Sequence, residues 1–352
     1  MIIRVSKPHL PNRQFLDTLI SDIYANNWLT NSGPLERRFK EELSEYFSVE
    51  SVALVCNATT AIESLISAIS IEADTDIITT PFSFKATSSA VVKNKLTPVY
   101  CDIVSESDVR MDPKRIPHSN NILLDTHVYG IPSLLTDNPE FEANRVIFDA
   151  AHCFDVFLGK HHISTKGLAS VISLHATKMV SSIEGGVIIS KDVALLDDIQ
   201  DRSNFALRSN DSRLAGNHKV SELHAAYGIA CLKELKFIIS QRSALKEMYD
   251  EIITKAPPTV KSLVPPSLSY YPIMLNTLKN AKKFKEDCGN QGIEVRQYFD
   301  VALNTIYSDK VCANAESLSG RIICLPMSSQ FNSKELKYLS EILPKMFANV
   351  ID

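Results

Sequence analysis

The chain has 352 residues, of which 45% are hydrophobic and 22% are charged, and this length favours one large domain with a smaller one beside it. Its net charge of −4 gives no electrostatic reason to expect nucleic acid or an anionic membrane as a partner, so we expect a small-molecule substrate. The seven cysteines are scattered and include no C-x-x-C pair, which predicts neither a disulfide framework nor a metal site.

The N-terminal residues 1–15 lack the apolar stretch and small-residue cleavage site of a secretory signal peptide. No apolar run approaches the roughly 20 residues that span a bilayer. We therefore expect a cytoplasmic protein. No fixed-period repeat is present, which argues against a solenoid.

Predicted helices and strands alternate through the first half of the chain. Residues 35–47 carry apolar side chains at helical spacing, and 51–56 (SVALVC) form a short apolar run that suits a buried strand. Further predicted helices are 60–71 and 86–93, and further predicted strands are 76–80, 97–100, 121–124, 145–148 and 169–172. This alternation predicts an α/β domain with a mainly parallel sheet, which binds ligands at the carboxyl ends of its strands.

The pattern becomes helical from about residue 192, with predicted helices at 195–201 and within 220–249. Four prolines then interrupt the chain, at positions 257, 258, 265 and 266. We therefore predict a large domain over 1–240, including an N-terminal segment 1–30, and a smaller C-terminal α+β domain over 241–352.

Polar residues follow four of the predicted strands, at the points where these strands end. They are 57–60 (NATT), 81–84 (PFSF), 149–152 (DAAH) and 173–178 (SLHATK). Because the carboxyl ends of parallel strands meet at one edge of a sheet, we expect these residues to form one site.

Lys178 and Asp149 carry the chemistry that this site suggests. Lys178 lies between two predicted strands, and a desolvated lysine amine can form a Schiff base with an aldehyde cofactor, although an exposed hairpin lysine fits the same position. Asp149 ends a buried strand, where a carboxylate can pair with a protonated pyridine nitrogen or cap the next helix.

Ala58 and Thr59 open a predicted helix, where peptide N–H groups can hold a phosphate, although Asn57 or Thr59 could equally be an ordinary helix cap. Phe84 could stack on a planar ring or pack in the core. A phosphate cradle, a ring platform, an acid and a lysine in this chain order are typical of fold-type I pyridoxal-phosphate enzymes.

The sequence resembles the DegT family of sugar aminotransferases, which are related to aspartate aminotransferase, across nearly the whole chain. The matching stretches are 27–34 (NWLTNSGP), 57–61 (NATTA), 80–87 (TPFSFKAT), 127–130 (HVYG), 148–152 (FDAAH), 173–178 (SLHATK), 184–186 (EGG), 216–219 (GNHK), 292–296 (GIEVR) and 325–326 (LP). The resemblance implies a fold-type I transferase with pyridoxal 5'-phosphate as its cofactor.

The resemblance also implies roles for individual residues. Lys178 would hold the cofactor as a Schiff base and move protons, and Asp149 would pair with the pyridinium. Phe84 would stack on the ring, and His152 would lie beside it near the ring hydroxyl.

The cofactor phosphate would be bound by Ala58, Thr59 and Ser173. Asn217 would reach the phosphate held by a neighbouring subunit, so the resemblance implies a homodimer with shared active sites. Two positions depart from the family pattern. Leu174 stands where phenylalanine is common, and Lys219 replaces a frequent arginine and therefore cannot make a bidentate contact.

The activity implied is amino transfer from an amino acid, L-glutamate being the expected donor, to a nucleotide-linked keto-sugar for surface-polysaccharide biosynthesis, for example the O-antigen of lipopolysaccharide. The expected acceptor is a dTDP-4-keto-6-deoxyhexose; a 3-keto or a UDP-linked sugar is an alternative.

Four other functions compete with this interpretation. A sugar dehydratase of the same fold has histidine in place of the Schiff-base lysine, so Lys178 argues against it. A non-catalytic regulatory protein of this fold would not need both Asp149 and Lys178. Among other enzyme classes, a nicotinamide oxidoreductase is disfavoured because the sequence has no G-x-G-x-x-G, and a serine hydrolase because it has no G-x-S-x-G.

Overall fold

The computed structural model describes residues 1–69, 76–117, 121–209 and 215–350. In chain order, the helices in these ranges are α1 (Arg13–Asn26), α2 (Pro34–Phe47), α3 (Ala58–Ala68), α4 (Lys85–Lys93), α5 (Val193–Arg202), α6 (Glu222–Lys233), α7 (Leu235–Ile253), α8 (Leu278–Asn290), α9 (Asn304–Tyr307), α10 (Ala313–Leu318) and α11 (Ser333–Ala348). The strands are β1 (Val52–Val55), β2 (Asp76–Thr79), β3 (Thr97–Tyr100), β4 (Ile103–Ser105), β5 (Asp108–Met111), β6 (Ile122–Thr126), β7 (Val146–Asp149), β8 (Phe157–Leu158), β9 (His161–His162), β10 (Ala169–Ser173), β11 (Gly186–Ser190), β12 (Val260–Ser262), β13 (Tyr271–Leu275), β14 (Arg296–Gln297) and β15 (Ile322–Leu325).

A seven-stranded sheet in the order β1-β11-β10-β7-β6-β2-β3 forms the centre of the larger part of the molecule. The strands from β10 to β3 run parallel, and β11 is antiparallel to both of its neighbours. The predicted α/β class with a mainly parallel sheet is therefore confirmed. Because β1 runs in the same direction as β10, the carboxyl ends of β1, β2, β6, β7 and β10 meet at one edge.

Helices cover both faces of this sheet, as the alternation of side chains along β1 illustrates. Val52 and Leu54 pack in one cluster with Phe39 of α2. Ala53, which points to the opposite face, packs in another cluster with Leu65 of α3. Burial on both faces explains why the strand sequences are almost continuously apolar.

The predicted elements agree with the observed ones to within two residues, apart from two helices. The helix predicted at 60–71 begins earlier, at Ala58, because the Asn57 side chain caps it by accepting from the Thr60 N–H. It ends at Ala68, and predicted positions 70 and 71 lie outside the described residues. The predicted helical region 220–249 contains two helices, α6 and α7, which are separated at Glu234.

The C-terminal part contains a second, antiparallel sheet in the order β12-β13-β15-β14. The predicted boundary near residue 240 falls inside α7, whose Ile238 packs with the first sheet and whose Tyr249 packs with the second. Ile3, at the start of the segment that we assigned to the large domain, bridges to Ile293 and packs with the second sheet. The division into 1–240 and 241–352 stays a prediction.

The seven cysteines are free thiols, six of them buried. Within the described ranges, no cluster of three or more histidine, cysteine or acidic side chains is arranged to bind a metal ion. The helices in those ranges include none with both the length and the apolar character needed to cross a bilayer.

Candidate active site

A cavity of about 400 Å³ lies at the carboxyl edge of the large sheet. Seven of the eight predicted site residues line it: Ala58, Thr59, Phe84, Asp149, His152, Ser173 and Lys178. The eighth, Asn217, does not line it and instead bridges to Asn204. The loops that follow parallel strands thus bring together residues that are 120 positions apart in the chain.

Asp149 ends β7 and is almost fully buried, with 5% of its surface exposed. Its Oδ2 accepts a hydrogen bond from the hydroxyl of Thr87 at 2.9 Å, and its Oδ1 accepts from the Ala151 N–H at 3.2 Å. Burial raises the pKa of this carboxyl above its ordinary value, although both hydrogen bonds favour the ionised form. A cationic partner in the cavity would therefore stabilise the carboxylate.

A short network of hydroxyl groups supports Asp149 from behind. Ser83 Oγ lies 2.7 Å from Thr87 Oγ1 and 2.9 Å from Thr126 Oγ1. Because Thr87 has a single hydroxyl proton and directs it to Asp149, its oxygen accepts from Ser83. The network thus fixes the position of the Thr87 hydroxyl that donates to Asp149.

Lys178 lies between β10 and β11, where the sequence analysis places it. Its Nζ is 3.4 Å from the hydroxyl oxygen of Tyr270. Burial lowers the pKa of Lys178 to about 8, against an opposing effect of the Asp149 charge. A pKa near 8 leaves a useful fraction of neutral amine near neutral pH, and the neutral amine is the nucleophile that forms a Schiff base.

The N-terminus of α3 offers an anion-binding position at the other end of the cavity. The peptide N–H groups of Ala58 and Thr59 are in the first helical turn and donate no hydrogen bond to another described residue. A side chain at Gly186 would come within 2.6 Å of the Asn57 carbonyl oxygen, so glycine is needed where β11 passes this helix end. Ser173, at the end of β10, adds a hydroxyl group to the same cavity.

Phe84 and His152 supply ring surfaces to the cavity. Phe84, at the N-cap of α4, has 56% of its surface exposed, which is unusual for phenylalanine and leaves its ring available for stacking. The His152 ring contacts Tyr270 edge to face, with the ring centres 4.6 Å apart. Burial lowers the pKa of His152 well below its ordinary value, so its imidazole is neutral at physiological pH.

The sequence analysis did not assign four further lining residues, which come from the C-terminal part of the chain: Tyr270, Arg296, Tyr298 and Phe299. Arg296 donates from a terminal guanidinium nitrogen to the Tyr298 hydroxyl at 3.0 Å and lies 3.5 Å from Glu294. Its guanidinium is the only one among the described residues that line the cavity. Arg296 could have been identified from the matching stretch 292–296, whereas no motif marks Tyr270.

Lys219, the departure from the expected arginine, makes single-point contacts. Its Nζ donates to the side-chain oxygen of Asn204 at 2.8 Å and lies 5.0 Å from the centre of the Phe205 ring. Leu174, the second departure, is buried in the core on one face of the large sheet. It is therefore a packing residue.

The cavity fits the predicted cofactor chemically. It combines a lysine of lowered pKa, a buried carboxylate, a helix N-terminus whose first N–H groups donate to no other described residue, and an exposed aromatic ring. Pyridoxal phosphate carries the complementary groups, which are an aldehyde, a basic ring nitrogen, a phosphate and a planar ring.

Comparisons with known proteins agree with this arrangement. The model of the DegT/DnrJ/EryC1/StrS aminotransferase family matches residues 12–344. A dTDP-4-amino-4,6-dideoxy-D-glucose transaminase from Shigella dysenteriae is 30% identical over 96% of this chain and 97% of its own, and one from Escherichia coli is 29% identical over 97% and 98%. The crystal structure of DesI in the presence of its TDP-sugar product superposes with a TM-score of 0.88 at 23% identity, covering 99% of this chain and 93% of DesI, which shows the shared fold.

Proposed function

Because the chain belongs to the DegT/DnrJ/EryC1/StrS aminotransferase family, we propose that it transfers an amino group from L-glutamate to a dTDP-linked 4-keto-6-deoxyhexose. The family resemblance inferred from the sequence is confirmed, and with it the assignment as a sugar aminotransferase that depends on pyridoxal phosphate. The observation that carries the proposal is that the Lys178 amine and the Asp149 carboxylate line the same cavity.

The choice of sugar rests on the names of the relatives. The Shigella dysenteriae and Escherichia coli transaminases are named for a dTDP-sugar with an amino group at C4 of a 4,6-dideoxyglucose. Transamination forms an amine from a ketone, so the matching acceptor is the 4-keto-6-deoxy sugar. A 3-keto or UDP-linked acceptor is the alternative that a product analysis must exclude.

Pyridoxal phosphate, when bound, supplies an aldehyde that takes up the amino group and a ring that withdraws electrons from the reacting carbon. Lys178 would hold the cofactor covalently and, once displaced by the amino donor, would move the proton between the donor carbon and the cofactor carbon. Asp149 would keep the ring nitrogen protonated, because its carboxylate is buried and hydrogen bonds from Thr87 and the Ala151 N–H favour its ionised form.

The remaining predicted residues would position the cofactor. Ala58 and Thr59 would donate their N–H groups to its phosphate, with the Ser173 hydroxyl beside them. Phe84 would lie on one face of its ring, and His152 would lie near the ring hydroxyl as a neutral imidazole.

An acidic amino donor is supported by Arg296, whose guanidinium lines the cavity. A guanidinium binds carboxylates in a bidentate manner, which suits the carboxylates of L-glutamate. Arg296 would hold the donor by these carboxylates, and the amino group would reach the keto-sugar through the chemistry that the bound cofactor supplies.

A homodimer with shared active sites is part of the proposal. Large apolar side chains are exposed on the described chain, among them Leu29 with 64% of its surface exposed and Leu223, six positions after Asn217, with 50%. These two lie close together because the Glu222 N–H donates to the Leu29 carbonyl. Exposed apolar surface of this kind is typical of subunit interfaces. In the dimer Asn217 would reach the partner's cofactor phosphate.

The proposal includes a cytoplasmic location and a role in making an amino sugar for a surface polysaccharide such as an O-antigen. The rival assignment within the fold, a sugar dehydratase, requires a histidine where this chain has Lys178. The non-catalytic rival leaves the lysine of lowered pKa and the buried Asp149 in one cavity without a purpose.

The proposal is tested by absorbance spectra of the purified protein with added pyridoxal phosphate, before and after L-glutamate, for wild type and Lys178→Ala. We expect a visible band in wild type that glutamate bleaches and that Lys178→Ala lacks. Wild type converted with glutamate and then mixed with the dTDP-4-keto-6-deoxy sugar should regain the band and yield an amino sugar, identified by mass spectrometry and NMR. Lys166→Ala, which removes a lysine paired with Asp137 on the surface, serves as the control.

Two results would contradict the proposal in different ways. If wild type forms no lysine-dependent band, or glutamate leaves the band unchanged, amino transfer itself is wrong. If glutamate bleaches the band but only a UDP-linked or 3-keto sugar restores it, the chemistry stands and the substrate is wrong.

A further inference from the structure

Tyr270 occupies a position in the cavity that the proposed chemistry leaves unexplained. It directly precedes β13 of the second sheet, yet its side chain lines the cavity at the edge of the first sheet. Its hydroxyl oxygen is 3.4 Å from Lys178 Nζ, and that nitrogen is 5.4 Å from the centre of the Tyr270 ring. Tyr270 is therefore the described residue whose side chain is within hydrogen-bond distance of the lysine amine.

The Tyr270 ring is held on two sides by other rings of the cavity. The His152 ring meets it edge to face at 4.6 Å between ring centres, and the Tyr298 ring does so at 5.4 Å. Tyr298 is in turn fixed by a hydrogen bond from Arg296. These contacts fix where the phenol oxygen lies relative to Lys178.

The backbone that carries Tyr270 is tied to the large sheet by hydrogen bonds of the three preceding residues. The hydroxyl oxygens of Ser267 and Ser269 lie 2.6 Å and 3.0 Å from the His152 carbonyl oxygen. The Leu268 N–H donates to Asp155 at 2.6 Å. A segment of the C-terminal part is thus anchored to the same loop that carries His152.

A buried arginine on α7 completes this anchor. Arg242, with 2% of its surface exposed, donates to the carbonyl oxygens of Leu268 at 3.0 Å and Ser269 at 3.3 Å. Both bonds come from one terminal nitrogen of the guanidinium, and together they hold the carbonyl oxygens of Leu268 and Ser269 beside α7.

We propose that Tyr270 is a positioning residue for Lys178, which it contacts in both of the protonation states that the lysine passes through. Its oxygen accepts a hydrogen bond from the Lys178 ammonium, and its O–H donates to the amine once that proton has left. A phenol can exchange these roles by rotating its O–H, without losing its own proton. The inference rests on the proposed function, because only a lysine that gains and loses a proton during turnover needs such a partner.

The two hydrogen bonds differ in strength, which gives the inference a measurable consequence. A hydrogen bond from an ammonium is charge-assisted and stronger than one between a neutral phenol and a neutral amine. Tyr270 therefore stabilises the protonated lysine more than the neutral one. Its removal should lower the pKa of Lys178 further below the value of about 8 that burial produces.

The test compares wild type with Tyr270→Phe, which keeps the ring and its packing, and with Tyr271→Phe as a matched control. The Tyr271 hydroxyl donates to Asp250 at 2.7 Å, and its side chain packs in the core of the second sheet. For each full-length protein, freed of cofactor, the rate of covalent capture of pyridoxal phosphate is measured against pH from the growth of the visible band. Capture needs the neutral amine, so the midpoint of this profile reports the pKa of Lys178. Thermal unfolding of each variant is measured alongside.

We expect the midpoint to fall by about one pH unit in Tyr270→Phe and to stay at the wild-type value in Tyr271→Phe. The rate at which L-glutamate converts the cofactor-loaded enzyme should fall by about tenfold in Tyr270→Phe alone, because the lysine loses its positioning contact.

A midpoint that is the same in Tyr270→Phe and in wild type overturns the inference, even where the rate of amino transfer falls, because a structural defect lowers a rate without shifting the titration. Failure of the proposed function has a different signature. In that case wild type itself captures no pyridoxal phosphate on Lys178, and both proposals fall together.

Discussion

Thr87 donates a hydrogen bond from its hydroxyl group to Oδ2 of Asp149 across 2.9 Å. Thr87 is on α4 and Asp149 ends β7, so this bond joins two elements that are 62 residues apart. It favours the ionised carboxylate against the effect of burial, which raises the pKa of Asp149. The ionised form is the one that can hold a protonated ring nitrogen.

Replacing Thr87 with valine, which has nearly the same shape, should therefore weaken cofactor binding. The expected loss of affinity for pyridoxal phosphate is about fivefold, since one such hydrogen bond contributes about 1 kcal/mol. Equilibrium dialysis of the cofactor-free protein measures it. Ser89→Ala, on the same helix but bonded to the Lys85 carbonyl, should bind the cofactor as wild type does. Equal affinities for Thr87→Val and wild type would show that Asp149 does not depend on this contact.

The lowered pKa of Lys178 predicts a pH dependence of stability in the cofactor-free protein. The folded pKa is about 8 against an ordinary value of 10.5, so between these pH values the unfolded chain binds more protons than the folded one. The free energy of unfolding should then rise with pH across this window, and the cost of the buried charge, about 3 kcal/mol, is fully present below pH 8.

Lys178→Met removes the charge and should be more stable than wild type at pH 7. Urea unfolding of both proteins at several pH values should show this difference shrinking by about 2.5 kcal/mol as the pH rises from 7 to 10. A difference that stays constant across this range would mean that the amine does not titrate in the window.

Much of the cavity could be predicted because its residues directly follow apolar strands. The parallel sheet brings Asp149 and Ser173 to one edge, and α3 begins at Ala58 just after β1. The order of strands in space is not needed for this inference, since carboxyl ends of parallel strands share an edge whatever their order. Only the direction of the strands matters.

Tyr270 could not be predicted in the same way. It comes from a proline-interrupted stretch of the C-terminal part, and its position depends on hydrogen bonds from Ser267 and Ser269 to the His152 carbonyl oxygen, in the loop after β7. Contacts of that kind depend on how two packed units meet, which local sequence patterns do not encode. The domain boundary predicted near residue 240 also depends on how these units meet, because α7 continues across this position and packs against both sheets.

Because the ring of Phe84 is exposed, we expect its removal to weaken cofactor binding without changing the stability of the fold. Because 56% of its surface is exposed, Phe84→Ala should change the free energy of unfolding by less than about 0.5 kcal/mol. Loss of ring stacking should nevertheless lower the affinity for pyridoxal phosphate by up to about tenfold. Chemical unfolding and cofactor titration measure the two effects.

Phe237→Ala is a suitable control, because Phe237 on α7 is also a half-exposed phenylalanine, with 50% exposure, and does not line the cavity. It should retain the wild-type affinity. If both variants lose affinity equally, or if Phe84→Ala loses none, Phe84 does not form a ring platform.

Asn217 allows a test of whether each active site is built from one subunit or from two. Its side chain does not line the cavity of its own chain, and we propose that it serves the cavity of the partner. The test uses a mixed dimer of one Lys178→Ala subunit and one Asn217→Ala subunit, purified with two different tags. If Asn217 serves the partner's cavity, this dimer contains one intact site, in which the Lys178→Ala subunit supplies Asn217 and the other subunit supplies the unaltered lysine. Such a dimer should have about half of the wild-type activity at limiting cofactor.

The activities of the two parent homodimers are the reference values for the activity of the mixed dimer. Lys178→Ala should be inactive, and Asn217→Ala should be at least tenfold weaker than wild type at limiting cofactor, because it loses a hydrogen bond to a charged phosphate. If Asn217 acted within its own chain, the mixed dimer would contain one site without the lysine and one without the asparagine, and its activity would stay at about half that of the Asn217→Ala homodimer. A protein that migrates as a monomer in size-exclusion chromatography at working concentration would contradict the shared site directly, since no partner would then be present to receive Asn217.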